Sequence, residues 1–200
     1  MNEYSFKGGV KMSAEKKEQI RDAAVDVISE NGFYNTRMQD IADQAGLAVG
    51  TIYNYFSNKD DVLEYIFIIE MEKRIKMLDE LKSENMPTKK LIGKFLEKQF
   101  ESLVIRPHLG RVIVREKDFS KHSESKKIKE FMQTIIKSME EIFEAGIEKD
   151  EIIDIDQHMM AVFFFGAVQG IIEQALTKPE VSLLRDAADF VMARIDHIFK

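Results

Sequence analysis

The sequence has no cysteine and no tryptophan, and only 3 prolines and 10 glycines in 200 residues. Without cysteine there is no disulfide framework, no thiolate metal site and no cysteine nucleophile. Scarce proline and glycine argue against the turn-rich punctuation of a sandwich or barrel and for long uninterrupted helices. The longest apolar run, Met159 to Val168, falls short of the ~18 residues of a membrane span, so no membrane partner is expected. Residues 1–12 hold Phe6 and Gly8-Gly9 but no apolar leader segment, which predicts a flexible amino-terminal arm on a cytoplasmic protein. A net charge of −6 excludes a generally basic nucleic-acid binder and leaves room for a small basic patch. What is present is globular in proportion, with 44% hydrophobic and 32% charged residues. The length suits one large domain or two small ones.

The apolar spacing predicts an all-α chain. Ser13 can cap a first helix whose Ile20, Ala23, Ala24, Val27 and Ile28 share a face, with Gly32 as a left-handed stop. Thr36-x-x-Gln39 reads as a capping box opening a short helix with Met38, Ile41, Ala42 and Ala45 inward, ended by Gly46. A third short segment places Val49, Ile52, Tyr53 and Phe56 on a common side, and Asn58 caps a fourth. Thr88 can cap a fifth that stops at Arg106-Pro107, and a sixth covers roughly residues 109–119. A regular stripe from Ile128 to Phe143 makes the seventh, Asp154 or Asp156 caps an eighth followed by Pro179, and Ser182 begins a ninth. Nine helices without repeat or sheet are expected, divided into residues 1–12 as arm, 13–60 as a three-helix DNA-binding domain and 61–200 as a helical ligand-binding and dimerisation domain.

Segments two and three carry the chemistry. Where two helices meet steeply, the crossing needs a small residue, the turn a glycine and the second helix an apolar anchor. Ala42, Gly46 and Ile52 fill those roles, leaving Gly50, Thr51, Asn54 and Tyr55 outward or flanking, with Lys59 at the next helix start able to pair a phosphate. The same spacing also occurs in an ordinary helical hairpin. The wider string Thr51-Ile52-Tyr53-Asn54-Tyr55-Phe56-Ser57-Asn58-Lys59-Asp60 resembles the DNA-binding region of the TetR family of one-component transcriptional regulators, over about residues 15–63. The resemblance implies base contacts at Gln39, Val49, Gly50 and Tyr55, where the Gln amide can read adenine. It implies phosphate contacts at Thr36, Thr51, Tyr53 and Lys59, with Asn54 at a variable position. Tyr53 can instead pack against the first helix.

The remaining two-thirds has its own signals. Helix eight is apolar nearly all round (Met159, Met160, Val162, Phe163, Phe164, Phe165) and so needs cover on more than one side. Gly166 and Gly170 would let another helix approach closely. By the family resemblance, the last two helices of each subunit build a four-helix homodimer interface. Phe100, Phe131, Phe163 and Phe164 are core by default and could line an apolar tunnel, while Arg111, Arg115, Gln169 and Glu173 could anchor a polar ligand head. The stretch Arg111-Val112-Ile113-Val114-Arg115-Glu116 before a long helix resembles the branch of the family that controls fatty-acid degradation and senses acyl-coenzyme A. An unidentified small apolar effector is the other reading.

The implied function is a ligand-responsive repressor, released from a palindromic double-stranded operator by such an effector, with no cofactor. Helices four and six are the expected transmitters. A catalytic site is not expected, since His108, His122, His158 and His197 are scattered. Only Asp118/His122 and Asp154/His158 have a metal-compatible spacing, better read as a solvated pair and a helix cap. A helical sensor or adaptor without DNA binding is the alternative.

Overall fold

The structure, a computed structural model, describes residues 4–116, 126–177 and 181–200. The Asp118/His122 pair and Pro179 therefore lie outside the described residues. Nine α-helices occur among them: α1 (Tyr4–Asn31), α2 (Met38–Ala45), α3 (Val49–Tyr53), α4 (Lys59–Ser83), α5 (Thr88–Ile105), α6 (Pro107–Arg115), α7 (Lys126–Glu148), α8 (Gln157–Thr177) and α9 (Ala187–Ile195). Short 3-10 turns occupy Val181–Leu184 and Asp196–Ile198. The chain divides into two compact units, Met1–Phe67 and Ile68–Lys200, with the division inside α4.

Several helix starts differ from expectation. Ser13 lies within α1, whose helical backbone begins at Tyr4 in place of a loose arm. Extending a nucleated helix costs little per residue, which lets it continue through the weak formers Gly8-Gly9. α2 is capped by Arg37, not Thr36, because Asp40 at N3 returns a charged carboxylate to the Arg37 backbone N–H at 2.8 Å. α5 begins after Pro87, and the Thr88 N–H donates to Glu151 at 2.7 Å; hydrogen bonding from the Thr88 side chain and then from its backbone holds the Glu151 carboxyl below its usual range. α9 starts at Ala187, five residues beyond Ser182, because the intervening chain takes a 3-10 turn.

Other signals match. Asn58 Oδ1 accepts from the Asp61 N–H at 2.9 Å while Asp61 accepts from the Ser57 N–H at 2.9 Å, a reciprocal cap on α4. Asp156, not Asp154, caps α8 by accepting from the Met159 N–H at 2.9 Å.

In the first unit α1 packs on α2 and α2 on α3, around Ile20, Ala24, Ile28, Ile41, Ala42, Ile52, Val62, Leu63 and Ile66. In the second, α8 packs on α6 and α7, and α5 packs on α7 and α9. Its centre is aromatic: Phe164 stands between Phe95 and Phe143, with ring centroids 6.5 and 6.1 Å away. An isolated antiparallel bridge between Ile152 and Phe199 ties the carboxy-terminal residues to the α7–α8 connection.

α8 corrects one reading. It is long and apolar enough to cross a membrane by length and composition alone, with a window of mean hydropathy 1.5. Gln169 interrupts the run of letters without making the helix polar. Ala161, Phe164, Val168, Ile172 and Ala175 are buried within the unit, while Met159, Val162 and Phe163 on the same helix are exposed.

Candidate functional site

The first unit builds a steep two-helix corner. Gly46 ends α2 at φ 64°, a left-handed turn that costs other residues about 1–2 kcal/mol, and its N–H and that of Leu47 return to the carbonyls of Asp43 and Ala42. Gln19 of α1 donates to the Ala45 carbonyl at 2.8 Å and closes the same helix end. Ile52 is fully buried and Phe56 nearly so, so α3 is pinned by its apolar side.

The polar groups are left outside. Gln39, Gly50, Tyr53 and Asn54 are exposed, and Val49, Thr51 and Tyr55 are half-buried. Tyr53 faces solvent at 53% exposure, which removes the reading that packed it inward with Ile52. The Gln39 amide lies against Asp43 at 2.7 Å on the same outer face.

Two residues expected at phosphates are spent within the protein. Thr36 is buried, and its hydroxyl donates to the Gly32 carbonyl at 2.9 Å. The Lys59 ammonium donates to the carbonyls of Phe33 (2.9 Å), Tyr34 (3.1 Å) and Thr36 (3.1 Å) and lies 4.6 Å from the centre of the Phe33 ring.

The same loop presents two groups the sequence reading missed. Tyr34 is 89% exposed, and Arg37 stands at the α2 N-terminus with its guanidinium on Asp40 at 2.8 Å. That pair raises the Arg37 pKa and holds the Asp40 carboxyl below its usual range. The signal available was position: both flank Thr36, directly before the helix that carries Gln39.

The second unit holds a cavity of about 200 Å³ between α4, α5 and α6. Met77, Leu103, Leu109 and Ile113 give it apolar walls. Its charged groups are Glu70, Lys73, Arg74, Lys98 and Arg106. Glu70 is buried and accepts from Lys73 at 2.8 Å, with Arg106 3.6 Å away. Burial pushes the Arg74 guanidinium below its ordinary range, opposed by the charge of Glu70. Four cations against one carboxylate leave the lining positive.

None of the expected ligand residues lines it. Phe100 and Phe164 are buried core, Phe163 is 60% exposed on the outer side of α8, and Phe131 borders a separate α4 groove. Arg111, Gln169, Arg115 and Glu173 are half-buried or exposed. On α6, Leu109 and Ile113 face the cavity, and Arg111 and Arg115 do not line it. A clue lay in Glu70 and Arg74, an i, i+4 pair interrupting an apolar helix face. Among the described residues there is no cluster of three or more metal-ligating side chains, and His158 pairs with Glu140 rather than Asp154.

Residues 20–66 match the family model for bacterial regulatory proteins of the tetR family, and residues 67–192 match the carboxy-terminal region of YsiA-like proteins. The fatty acid metabolism regulator protein of Bacillus subtilis (strain 168) is 33% identical over 80% of this chain and 82% of its own. The chain belongs to the TetR family. It is a DNA-binding transcriptional regulator and not an enzyme, and its α2–Gly46–α3 corner is the family's helix-turn-helix. A crystal structure of the transcriptional regulator FadR from Bacillus subtilis in complex with stearoyl-CoA is similar, with TM-score 0.75 and 29% identity over 88% of this chain and 97% of that one. A TetR regulator from Haloarcula marismortui shares the fold at TM-score 0.81 and 16% identity, covering 94% of this chain and 100% of that one.

Proposed function

We propose that this TetR-family chain is a repressor that binds a palindromic operator as a homodimer and releases it on binding a long-chain acyl-CoA or a similar anionic amphiphile. The observation that carries the effector is the positive, apolar-walled cavity of α4, α5 and α6, in a chain related to a regulator solved with stearoyl-CoA. Anionic head chemistry suits Arg74, Arg106 and Lys98, and an acyl chain suits Met77, Leu103 and Ile113. At about 200 Å³ the cavity is below the ~300–1,000 Å³ of typical ligand sites, so entry of a long chain must part the neighbouring core.

DNA reading falls to the outward groups of α2 and α3. Gln39, Gly50, Asn54 and Tyr55 suit base edges, Thr51, Tyr53 and Arg37 suit phosphates, and Val49 offers methyl contact. The homodimer is supported by the outer face of α8 and α9. Met159, Val162, Phe163 and Phe190 are exposed there, and Gly166 and Gly170 face open space that a second helix can enter. A second copy places two readers one helical turn apart, ~34–36 Å, and an effector that favours another spacing weakens binding. Such a regulator works in the cytoplasm with the chromosome.

The test is fluorescence anisotropy on duplexes selected by the wild-type chain from a random pool, titrated separately with stearoyl-CoA, free CoA and stearate. Stearoyl-CoA should release DNA at the lowest concentration. Arg74→Met should raise that concentration by roughly thirtyfold, the equivalent of about 2 kcal/mol for a lost charge-assisted bond. Release by none of the three ligands rejects the effector, and failure to select any duplex rejects the repressor.

A further inference from the structure

We propose that Lys59 is a positioning residue for the DNA-reading corner and not one of its phosphate contacts. The inference rests on the DNA-binding part of the proposed function and is independent of the effector.

An ammonium has three N–H donors, and here each has its own acceptor, the carbonyls of Phe33, Tyr34 and Thr36 at 2.9, 3.1 and 3.1 Å. The Phe33 ring, 4.6 Å from Nζ, covers a further side. A phosphate could be taken only by giving up one of these bonds. Position adds a second argument. Lys59 is the first residue of α4, where the helix dipole disfavours a cation. The converging carbonyls offset that cost, and in turn the cation satisfies the Tyr34 and Thr36 carbonyls and adds a second donor to the Phe33 carbonyl, which also accepts from the Thr36 N–H at 3.2 Å.

The clamp acts on a short arch. Gly32 ends α1 at φ 78°, the Thr36 hydroxyl returns to the Gly32 carbonyl, and Arg37 opens α2. Lys59 thus fixes where Tyr34, Arg37 and Gln39 emerge relative to the start of α4. Because α4 continues as one helix to Ser83, displacement of its first turn pulls the arch with it.

The two roles separate under substitution. A guanidinium keeps the charge and binds phosphate at least as well, yet its planar fork cannot aim three donors at carbonyls converging on one point. Positioning predicts that Lys59→Arg and Lys59→Met each weaken binding to the selected duplexes by about tenfold or more. It also predicts that Lys59→Met keeps the wild-type slope of log affinity against log salt, since no phosphate contact is removed. Hydrogen exchange on the free protein needs no DNA: amides 34–37 should exchange faster in Lys59→Arg, while those of α1 around Ile28 do not. Wild-type affinity or wild-type exchange in Lys59→Arg, or a slope reduced by about 0.9 in Lys59→Met, overturns the proposal. If the wild-type chain selects no duplex, the DNA-binding reading fails on its own and the exchange measurement still decides the clamp.

Discussion

The two units solve opposite problems with the same helical material. Unit one turns its hydrogen-bonding groups outward on short helices held by turns, so Gln39, Tyr53 and Asn54 meet solvent while Ile52 is fully buried. Unit two turns charge inward, with Glu70 buried against Lys73 and Arg106 and the Arg74 guanidinium held in a cavity. An outward reader needs rigidity, and its geometry is written in neighbouring residues. An inward receptor needs polar groups that stay unsettled until a ligand arrives, and these come from three helices.

The largest test of this division removes one core anchor from each unit. Phe164→Ala should cost about 3–5 kcal/mol and Ile52→Ala about 2–5 kcal/mol, both being almost fully buried. All five tyrosines lie in unit one, and there is no tryptophan, so tyrosine fluorescence reports that unit alone. In urea, Phe164→Ala should shift the circular-dichroism transition more than the fluorescence transition, and Ile52→Ala should do the reverse. Equal shifts for both probes in both variants would mean that the units unfold as one, and the comparison would lose its energetic basis.

The comparison also explains what the sequence could tell. In unit one the decisive relations span few residues: Ala42, Gly46 and Ile52 sit within eleven positions of one another, and their roles follow from local spacing. The errors there were also local. Thr36 and Arg37 are adjacent candidates for one cap, and Asp40 decided it by charge. The Lys59 clamp was not legible there, because its acceptors are backbone carbonyls 23–26 residues away, which have no signature in side-chain identity. In unit two, helix identities and apolar stripes were legible for the same periodic reason. The cavity was not, since it joins Glu70 and Arg74 to Arg106 and Ile113, and periodicity says only which face of each helix is apolar.

A smaller effect sharpens the contrast through glycine. Gly46 holds a left-handed turn, so Gly46→Ala should destabilise the unit-one transition by about 1–2 kcal/mol and weaken DNA binding. Gly170 is helical and faces open space. Gly170→Ala should therefore raise the helical stability of unit two by about 0.5–1 kcal/mol while weakening self-association in sedimentation experiments. Tighter association in Gly170→Ala would remove close approach at α8 from the dimer.

The smallest effect is in pH dependence, where the units should differ in sign. In unit one, hydrogen bonds from Arg37 lower the Asp40 pKa, so the carboxylate's contribution is present above its unfolded value near 3.8 and disappears as pH falls through the still lower folded value. In unit two, the hydrogen bond to Glu140 raises the His158 pKa, with Asp156 adding in the same direction. Its contribution is fully present below the unfolded value near 6.5 and is lost as pH rises through the higher folded one. His158 is exposed and Asp40 half-buried at the surface, so salt should screen both and the slopes should be shallow. Asp40→Asn should flatten the acid limb seen by tyrosine fluorescence, and His158→Gln should flatten the limb above about pH 6.5 seen by circular dichroism. Each should leave the other limb unchanged. If His158→Gln leaves its own limb as steep at low salt as in the wild type, the Glu140 pair contributes nothing in solution, and the difference in sign between the units is lost.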